Sequence, residues 1–160
     1  MAINGFGRIG RAFLRAAWHD PHVEVVAIND LGEVANLAYL LKYDSVYRQF
    51  PAPVSAEGSE LVVGAKRIKV LAEKDPAKLP WKDMAVDVVI ESTGVFDSFE
   101  KARAHIVAGA RKAVISAPVK DVAPNSATVL VGVNEEKLSV CDVTSNASCT
   151  TNSASPLIAI

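Results

Sequence analysis

The chain has few cysteines and no block of charge of one sign, and each of these features argues against certain classes of protein. Only two of its 160 residues are cysteine, Cys141 and Cys149. Two are too few for a disulfide framework, so we expect a reducing, cytoplasmic setting. The formal net charge is −1, and lysine and arginine are nowhere clustered. This argues against nucleic acid or a membrane surface as a partner, since both bind concentrated positive charge.

Long apolar runs are missing as well. No segment approaches the roughly 20 apolar residues that a membrane-spanning helix needs. The glycine-rich turn at Gly5 arrives before a signal peptide could form, so we expect none. Half of the residues are hydrophobic and 22% are charged, which is typical of a soluble globular domain with a core of its own.

Short β-branched runs alternate with helical patterns along the chain. The runs at 23–28 and 87–90 are typical of buried parallel strands, and further strands are predicted at 1–3, 113–115 and 128–131. Strands that alternate with helices predict βαβ crossovers. The predicted fold class is therefore α/β, a doubly wound and mostly parallel sheet. Runs at 61–64 and 68–71 predict an antiparallel hairpin inserted in it.

Three helices are predicted between these strands. The first should bury the face formed by Ile9, Ala12, Phe13, Ala16 and Ala17. The second should bury Val34, Leu37, Ala38 and Leu41. The third should run from Ser98, as N-cap, to a stop at Gly109.

The segment Gly5-Phe6-Gly7-Arg8-Ile9-Gly10 has the G-x-G-x-x-G spacing of a dinucleotide-binding turn. It follows a predicted strand and opens a predicted helix, which is the context this motif requires. Gly5 permits the tight turn, Gly7 lets the backbone approach a pyrophosphate, and Gly10 allows close packing of helix on strand. The helix N-terminus then offers N–H donors to phosphate.

Asp30 ends the second predicted strand, twenty residues after Gly10. A carboxylate at this place can accept hydrogen bonds from an adenosine ribose and repels a 2′-phosphate, which predicts NAD over NADP. The alternative is that Asp30 only caps the helix that contains Val34.

Cys149 lies at the predicted start of an apolar helix, among Ser148, Thr150 and Thr151. A helix N-terminus stabilises a thiolate, and its N–H groups can hold an oxyanion formed on a carbonyl. The alternative is a small buried hydrophobic residue, which is the interpretation we favour for Cys141. The three histidines have no metal-ligand spacing with a cysteine, and no metal site is predicted.

Several motifs in order identify a family that the sequence resembles. They are INGFGRIGR at 3–11, AINDL at 27–31, LKYDS at 41–45, ESTGVF at 91–96, SAP at 116–118 and SNASCTTN at 145–152. Together they resemble phosphorylating glyceraldehyde-3-phosphate dehydrogenase, over nearly all of this chain and the first half of a family member. The octapeptide around Cys149 is the most specific of them.

The resemblance implies an NAD-dependent enzyme of glycolysis with a Rossmann-like NAD-binding domain at 1–148. Residues 149–160 would be the first helix of a catalytic domain that is otherwise absent. Cys149 would be the catalytic nucleophile that forms a hemithioacetal and then a thioester with glyceraldehyde 3-phosphate, and inorganic phosphate would release the acyl group. Ser148 and Thr150 would bind substrate. The cofactor would be held by Gly5, Phe6, Gly7, Arg8, Ile9, Asn29, Asp30, Lys74, Ser92, Thr93, Gly94, Phe96 and Ser116.

The resemblance also implies a homotetramer in the full-length protein and a catalytic histidine far downstream of Cys149. Without that histidine, the chain alone is predicted to lack turnover. Two alternatives remain open. Erythrose-4-phosphate dehydrogenase shares the cysteine motif but tends to carry glutamate in place of Asp30. A non-catalytic NAD-binding module would use Cys149 as a redox-sensing thiol.

Overall fold

A computed structural model describes residues 1–159, in which a nine-stranded sheet carries the fold. The strand order is β10-β11-β9-β8-β1-β2-β7-β6-β5. Pairing is parallel from β10 to β7 and antiparallel from β7 through β6 to β5. The bounds are β1 Ala2–Asn4, β2 Ala27–Asn29, β5 Val54–Glu57, β6 Glu60–Val63, β7 Lys66–Leu71, β8 Val88–Glu91, β9 Lys112–Ile115, β10 Ser126–Thr128 and β11 Val143–Ser145. A separate two-stranded ribbon pairs β3 Tyr43–Asp44 with β4 Arg48–Gln49.

Helices cover this sheet. They are α1 Arg8–Ala17, α2 Val34–Lys42, α3 Phe99–Ala102, α4 Ala104–Val107 and α5 Cys149–Ile158, with 3₁₀ turns at Pro76–Lys78 and Glu135–Ser139. The predicted doubly wound α/β fold is confirmed, as is the inserted hairpin, which is β6 and β7. Ile160, the last residue of the predicted catalytic-domain helix, lies outside the described residues.

The core divides into clusters of buried side chains. The largest joins α1, α2 and the antiparallel strands and includes Leu14, Leu41 and Leu61. A second is built around Trp81, and a third packs Phe99 against β9 and β11. No helix within residues 1–159 is both long enough and apolar enough to cross a membrane.

The predicted buried face of the first helix is wrong at Ile9 and Ala16, although Phe13 does pack against the core. Ile9 and Ala16 are exposed, and α1 instead buries Gly10 and Leu14. The cause is Gly10, whose missing side chain leaves room for the backbone of the turn before the helix. Because Gly10 must face the sheet, the residue one turn later, Leu14, faces it too.

Three predicted elements have other bounds than expected. The strand predicted at 23–28 is shorter and shifted, since β2 is Ala27–Asn29, although Val25 is buried beside it. The predicted strand 128–131 is wrong, because β10 ends at Thr128 and the chain turns where the Asn134 side chain binds the Leu130 N–H. The third helix is interrupted at Arg103, but Ser98 does cap it, since its hydroxyl accepts from the Lys101 N–H.

Gly10→Ala should destabilise the fold, because the new Cβ would lie 2.3 Å from the Gly5 carbonyl oxygen. We expect the free energy of unfolding to fall by about 2 kcal/mol, even though alanine favours helix. Denaturant titration measures this. Gly7→Ala is the matched control, since its Cβ would meet nothing within 4 Å. A Gly10→Ala chain as stable as the control would contradict the close-packing role.

Candidate functional site

Three polar residues end neighbouring strands at one edge of the sheet. Asn4 is the last residue of β1 and pairs in register with Asn29 of β2 on one side and Glu91 of β8 on the other. Parallel strands end together, so the loops that follow them share this edge, where α/β folds bind their ligands. A cleft of about 420 Å³ lies there, lined by Asn4, Gly5, Gly7, Asn29, Asp30, Leu31, Glu73, Lys74, Ser92, Thr93, Val95 and Phe96.

The glycine turn forms the centre of the cleft. Gly5 has φ +89°, and a Cβ there would lie 2.6 Å from the Thr93 nitrogen, so only glycine fits. The Ser92 hydroxyl donates to the Gly5 carbonyl at 2.7 Å and fixes the turn. Gly7 faces open space. The turn therefore leaves a side-chain-free surface at the point where α1 begins.

Helix α1 starts without a side-chain cap, because its N-cap is Gly7. The N–H groups of its first turn are left to a ligand or water, and the helix dipole favours an anion. The Arg8 side chain forms an ion pair with Asp44. Backbone N–H groups of Tyr47 and Val46, and then Arg8, hold the pKa of Asp44 below its usual value. The Arg8 guanidinium is thus engaged with Asp44, and Arg8 is not among the residues that line the cleft.

Asp30 lies directly after β2, and both of its carboxylate oxygens bind backbone. Oδ2 accepts from the Phe6 N–H at 2.7 Å and Oδ1 from the Gly32 N–H at 2.8 Å. The alternative that Asp30 caps the second helix is wrong, since α2 begins at Val34 with Glu33 as its N-cap. These bonds tie the acidic side chain to the glycine turn.

The segment Glu73-Lys74 forms one wall of the cleft, and Asn29 holds it. The Asn29 side chain accepts from the Glu73 N–H at 2.8 Å and donates to the Glu73 carbonyl at 2.9 Å. Asn29 is 5% exposed, so its amide is committed to this support.

The opposite wall follows β8. The Thr93 N–H donates to the Glu91 carboxylate at 2.8 Å, and Gly94 turns the chain with φ +75°. Ser116 follows β9, next to β8, and its N–H donates to the Glu91 carbonyl at 2.9 Å. Ser116 thus lies at the same sheet edge but outside the cleft lining.

Cys149 is exposed and is the first residue of α5. The N-cap is Ser148, whose hydroxyl accepts from the Thr151 N–H at 3.0 Å. The Ser145 hydroxyl, at the end of β11, accepts from the Ala147 N–H and fixes the preceding turn, where Ala147 has φ +58°. The burial alternative for Cys149 is therefore wrong, whereas Cys141 is buried as predicted.

The parallel register places Cys149 at the same sheet edge as the glycine turn. Strand β11 is separated from β1 by β9 and β8, which is about 14 Å at the usual strand spacing. The exposed Cys149 thiol at the start of α5 and the glycine turn at the start of α1 thus lie at the same edge of the sheet.

The cleft brings together eight of the predicted cofactor residues: Gly5, Gly7, Asn29, Asp30, Lys74, Ser92, Thr93 and Phe96. Five do not line it: Phe6, Arg8, Ile9, Gly94 and Ser116. Four lining residues were missed by sequence reasoning: Asn4, Leu31, Glu73 and Val95. Asn4 could have been found, since a polar residue that ends a short apolar strand is a signal of its own. Among residues 1–159, no group of side chains has the arrangement of a metal site.

Comparison with known proteins agrees with this geometry. The family described as "Glyceraldehyde 3-phosphate dehydrogenase, NAD binding domain" matches residues 1–99. The chain belongs to this family. Glyceraldehyde-3-phosphate dehydrogenase of Thermotoga maritima is 52% identical over 163 residues, covering 100% of this chain and 48% of that protein. Relatives with the same name from Bacillus subtilis (numbered 1) and Geobacillus stearothermophilus are each 51% identical over 98% of this chain.

The chain spans about half the length of the curated relatives it matches. The match identifies the cofactor as NAD, and the residues of the cleft fit it. The open space at Gly7, beside the helix N–H groups, would admit a pyrophosphate, and the Asp30 carboxylate would be an acceptor for a ribose hydroxyl. Lys74 and Phe96 line the same cleft, where they would contact the rest of the dinucleotide.

Gly7→Ala should weaken NAD binding without unfolding the chain. Its Cβ would meet no protein atom within 4 Å, so it would project into the space left for the ligand. We expect the dissociation constant for NAD to rise about tenfold, as for a contact worth about 1.4 kcal/mol. Titration calorimetry at a temperature where both proteins are folded measures it. Unchanged affinity would mean that the pyrophosphate does not approach Gly7.

Proposed function

We propose that this chain is the cofactor-binding half of an NAD-dependent, phosphorylating glyceraldehyde-3-phosphate dehydrogenase. The observation that carries the proposal is the shared sheet edge, on which the NAD cleft and the exposed thiol of Cys149 both lie. The relatives that bear this name align with the chain beyond residue 99, through the segment that holds Cys149.

Cys149 would act as the nucleophile. Its sulfur would add to the aldehyde carbon of glyceraldehyde 3-phosphate, giving a hemithioacetal and, once a hydride has left the carbon, a thioester. NAD supplies the hydride acceptor when it is bound. Inorganic phosphate would then displace the thiolate and carry away the acyl group as an acyl phosphate.

The neighbours of Cys149 are suited to these steps. The N–H groups at the start of α5 can stabilise the oxyanion formed at the aldehyde oxygen. The hydroxyl groups of Ser148 and Thr150 flank the thiol and can donate to substrate or to the attacking phosphate. Asn152 fixes the same turn, because its amide donates to the Asn146 carbonyl at 2.7 Å.

Homotetramer assembly of the full-length protein and a cytoplasmic location belong to the same proposal. The first rests on the family resemblance and the second on the low cysteine content. Light scattering of the full-length protein tests the assembly, since a monomeric or dimeric mass would contradict it.

Cys149→Ser in the full-length protein should abolish NADH production from glyceraldehyde 3-phosphate and phosphate. An alcohol is a far weaker nucleophile than a thiolate at neutral pH, so we expect a loss of several orders of magnitude. NAD affinity should be unchanged. Cys141→Ser is the matched control, because Cys141 is buried away from the cleft and should keep its turnover. Retained activity in Cys149→Ser would contradict the nucleophile assignment.

The chain of residues 1–160 by itself should bind NAD but give no steady NADH production. The family's histidine base is not among its residues, and loss of general acid/base catalysis alone costs about 10²–10⁴-fold in rate. The measurement is absorbance of NADH with glyceraldehyde 3-phosphate and phosphate present. Sustained turnover would show that the chain contains a complete active site.

A further inference from the structure

A network of buried polar side chains runs beneath the cleft, and two of its members, Asn4 and Asn29, also line it. Its members are Trp81, His105, Glu91, Asn4 and Asn29, each at most 5% exposed. They come from five separate segments, among them β1, β2, β8 and α4. Buried polar groups on this scale are tolerated only when every member is paired. We call this set the buried polar network.

One end of the buried polar network is set by Trp81. Its indole N–H can only donate, and it lies 3.1 Å from His105 Nδ1. Nδ1 must therefore accept, which places the proton of the neutral imidazole on Nε2. That Nε2–H donates to Glu91 Oε2 at 2.9 Å.

The other end is set by the backbone of Glu73. Because its N–H and carbonyl both bind the Asn29 side chain, the oxygen and nitrogen of that amide cannot be exchanged. The second hydrogen of Asn29 Nδ2 donates to Asn4 Oδ1 at 2.7 Å. Asn4 Nδ2 is thereby turned towards Glu91 Oε2, 2.6 Å away.

Both carboxylate oxygens of Glu91 accept hydrogen bonds. Asn4 and His105 donate to Oε2, and the N–H and hydroxyl of Thr93 donate to Oε1. The Asn4 amide nitrogen, the His105 Nε2–H and the Thr93 N–H can only donate, and they approach both oxygens of Glu91, so the network needs a group with two acceptor oxygens at this place. Only a carboxylate provides them.

We propose that Glu91 is a positioning residue for NAD, joining both walls of the cleft to one carboxylate. It holds Thr93 directly, and it holds the Glu73-Lys74 wall through Asn4 and Asn29. The proposal rests on the NAD binding described above. Thr93 is exposed and precedes the Gly94 turn, so without the carboxylate this wall relaxes in the free protein and must be reordered when NAD binds.

Glu91→Gln isolates this effect, since it changes one oxygen to NH₂ and keeps the shape. Neither orientation of the new side-chain amide can pair with all of the surrounding donors. With its oxygen towards Thr93, its NH₂ faces the donors of Asn4 and His105, and in the other orientation it faces the Thr93 N–H. One buried clash of donors leaves a polar group unpaired and loosens the wall that it holds, so we expect roughly tenfold weaker NAD binding.

A second substitution should restore binding. In Asn4→Asp with Glu91→Gln, the carboxylate moves to position 4, where it can accept from Asn29, from the new amide at position 91 and from His105 Nε2, which lies 3.5 Å from the present Asn4 nitrogen. The oxygen of that new amide then serves Thr93. Asn4→Asp alone would instead place two carboxylates 2.6 Å apart and should be the worst of the three variants.

The experiment is an NAD titration of the full-length protein as wild type, both single variants and the double variant, at a temperature where each is folded. Thermal unfolding is recorded beside it. We expect about tenfold weaker binding for Glu91→Gln and recovery to within about threefold in the double variant. Asp87→Asn is the matched acid-to-amide control, exposed at the opposite end of β8, and should bind as wild type does.

If Glu91→Gln has a lower unfolding temperature but the NAD affinity of the wild type, its role is purely structural and the proposal is overturned. A double variant that folds but does not recover NAD binding would overturn it too. If Glu91→Gln does not fold, Trp81→Phe replaces it as the test variant, and Trp18→Phe is its control. Only the first removes the donor to His105, so only the first should weaken binding, and equal affinity would overturn the proposal. A wild type that does not bind NAD would instead contradict the proposed function.

Discussion

The backbone of Gly5 lies against the backbone of Ser92 and Thr93, and the position of the site depends on that contact. It brings the loop after β1 onto the loop after β8. Gly10 makes the corresponding approach between α1 and the Gly5 carbonyl. Side chains at these two positions would push the helix from the sheet, and its N–H groups would no longer face the cleft. A Cβ at Gly7, between them, would meet no protein atom within 4 Å, so glycine at this N-cap leaves the space in front of the α1 N–H groups open.

The site is built from strand ends more than from catalytic side chains. Asn4, Asn29 and Glu91 lie side by side because three parallel strands share one register. Asn29 and Glu91 each hold a loop that lines the cleft, and Asn4 joins the two. Cys149 lies at the same edge, because α5 begins shortly after the end of β11, which is also a parallel strand. The parallel sheet thus places a cofactor cleft and a thiol on one surface although 145 positions separate Asn4 from Cys149 in the sequence.

Patterns of local origin could be predicted from the sequence. The glycine spacing, the start of α5 at Cys149 and the hairpin of β6 and β7 each depend on residues close together in the chain. The buried face of α1 could not be predicted in this way, because the contact of Gly10 with the Gly5 carbonyl decides it rather than the periodicity of apolar residues. Nor could the roles of His105 and Trp81, whose partners lie on other segments.

Asp30 lines the NAD cleft directly after β2, where its carboxylate would accept hydrogen bonds from the adenosine ribose. The most direct test is a calorimetric titration of this chain with NAD and, in parallel, with NADP. Because the carboxylate of Asp30 would repel a 2′-phosphate, we predict binding of NAD and at least about tenfold weaker binding of NADP. Equal binding of the two would contradict the ribose role of Asp30, and binding of neither by a folded chain would contradict the NAD cleft.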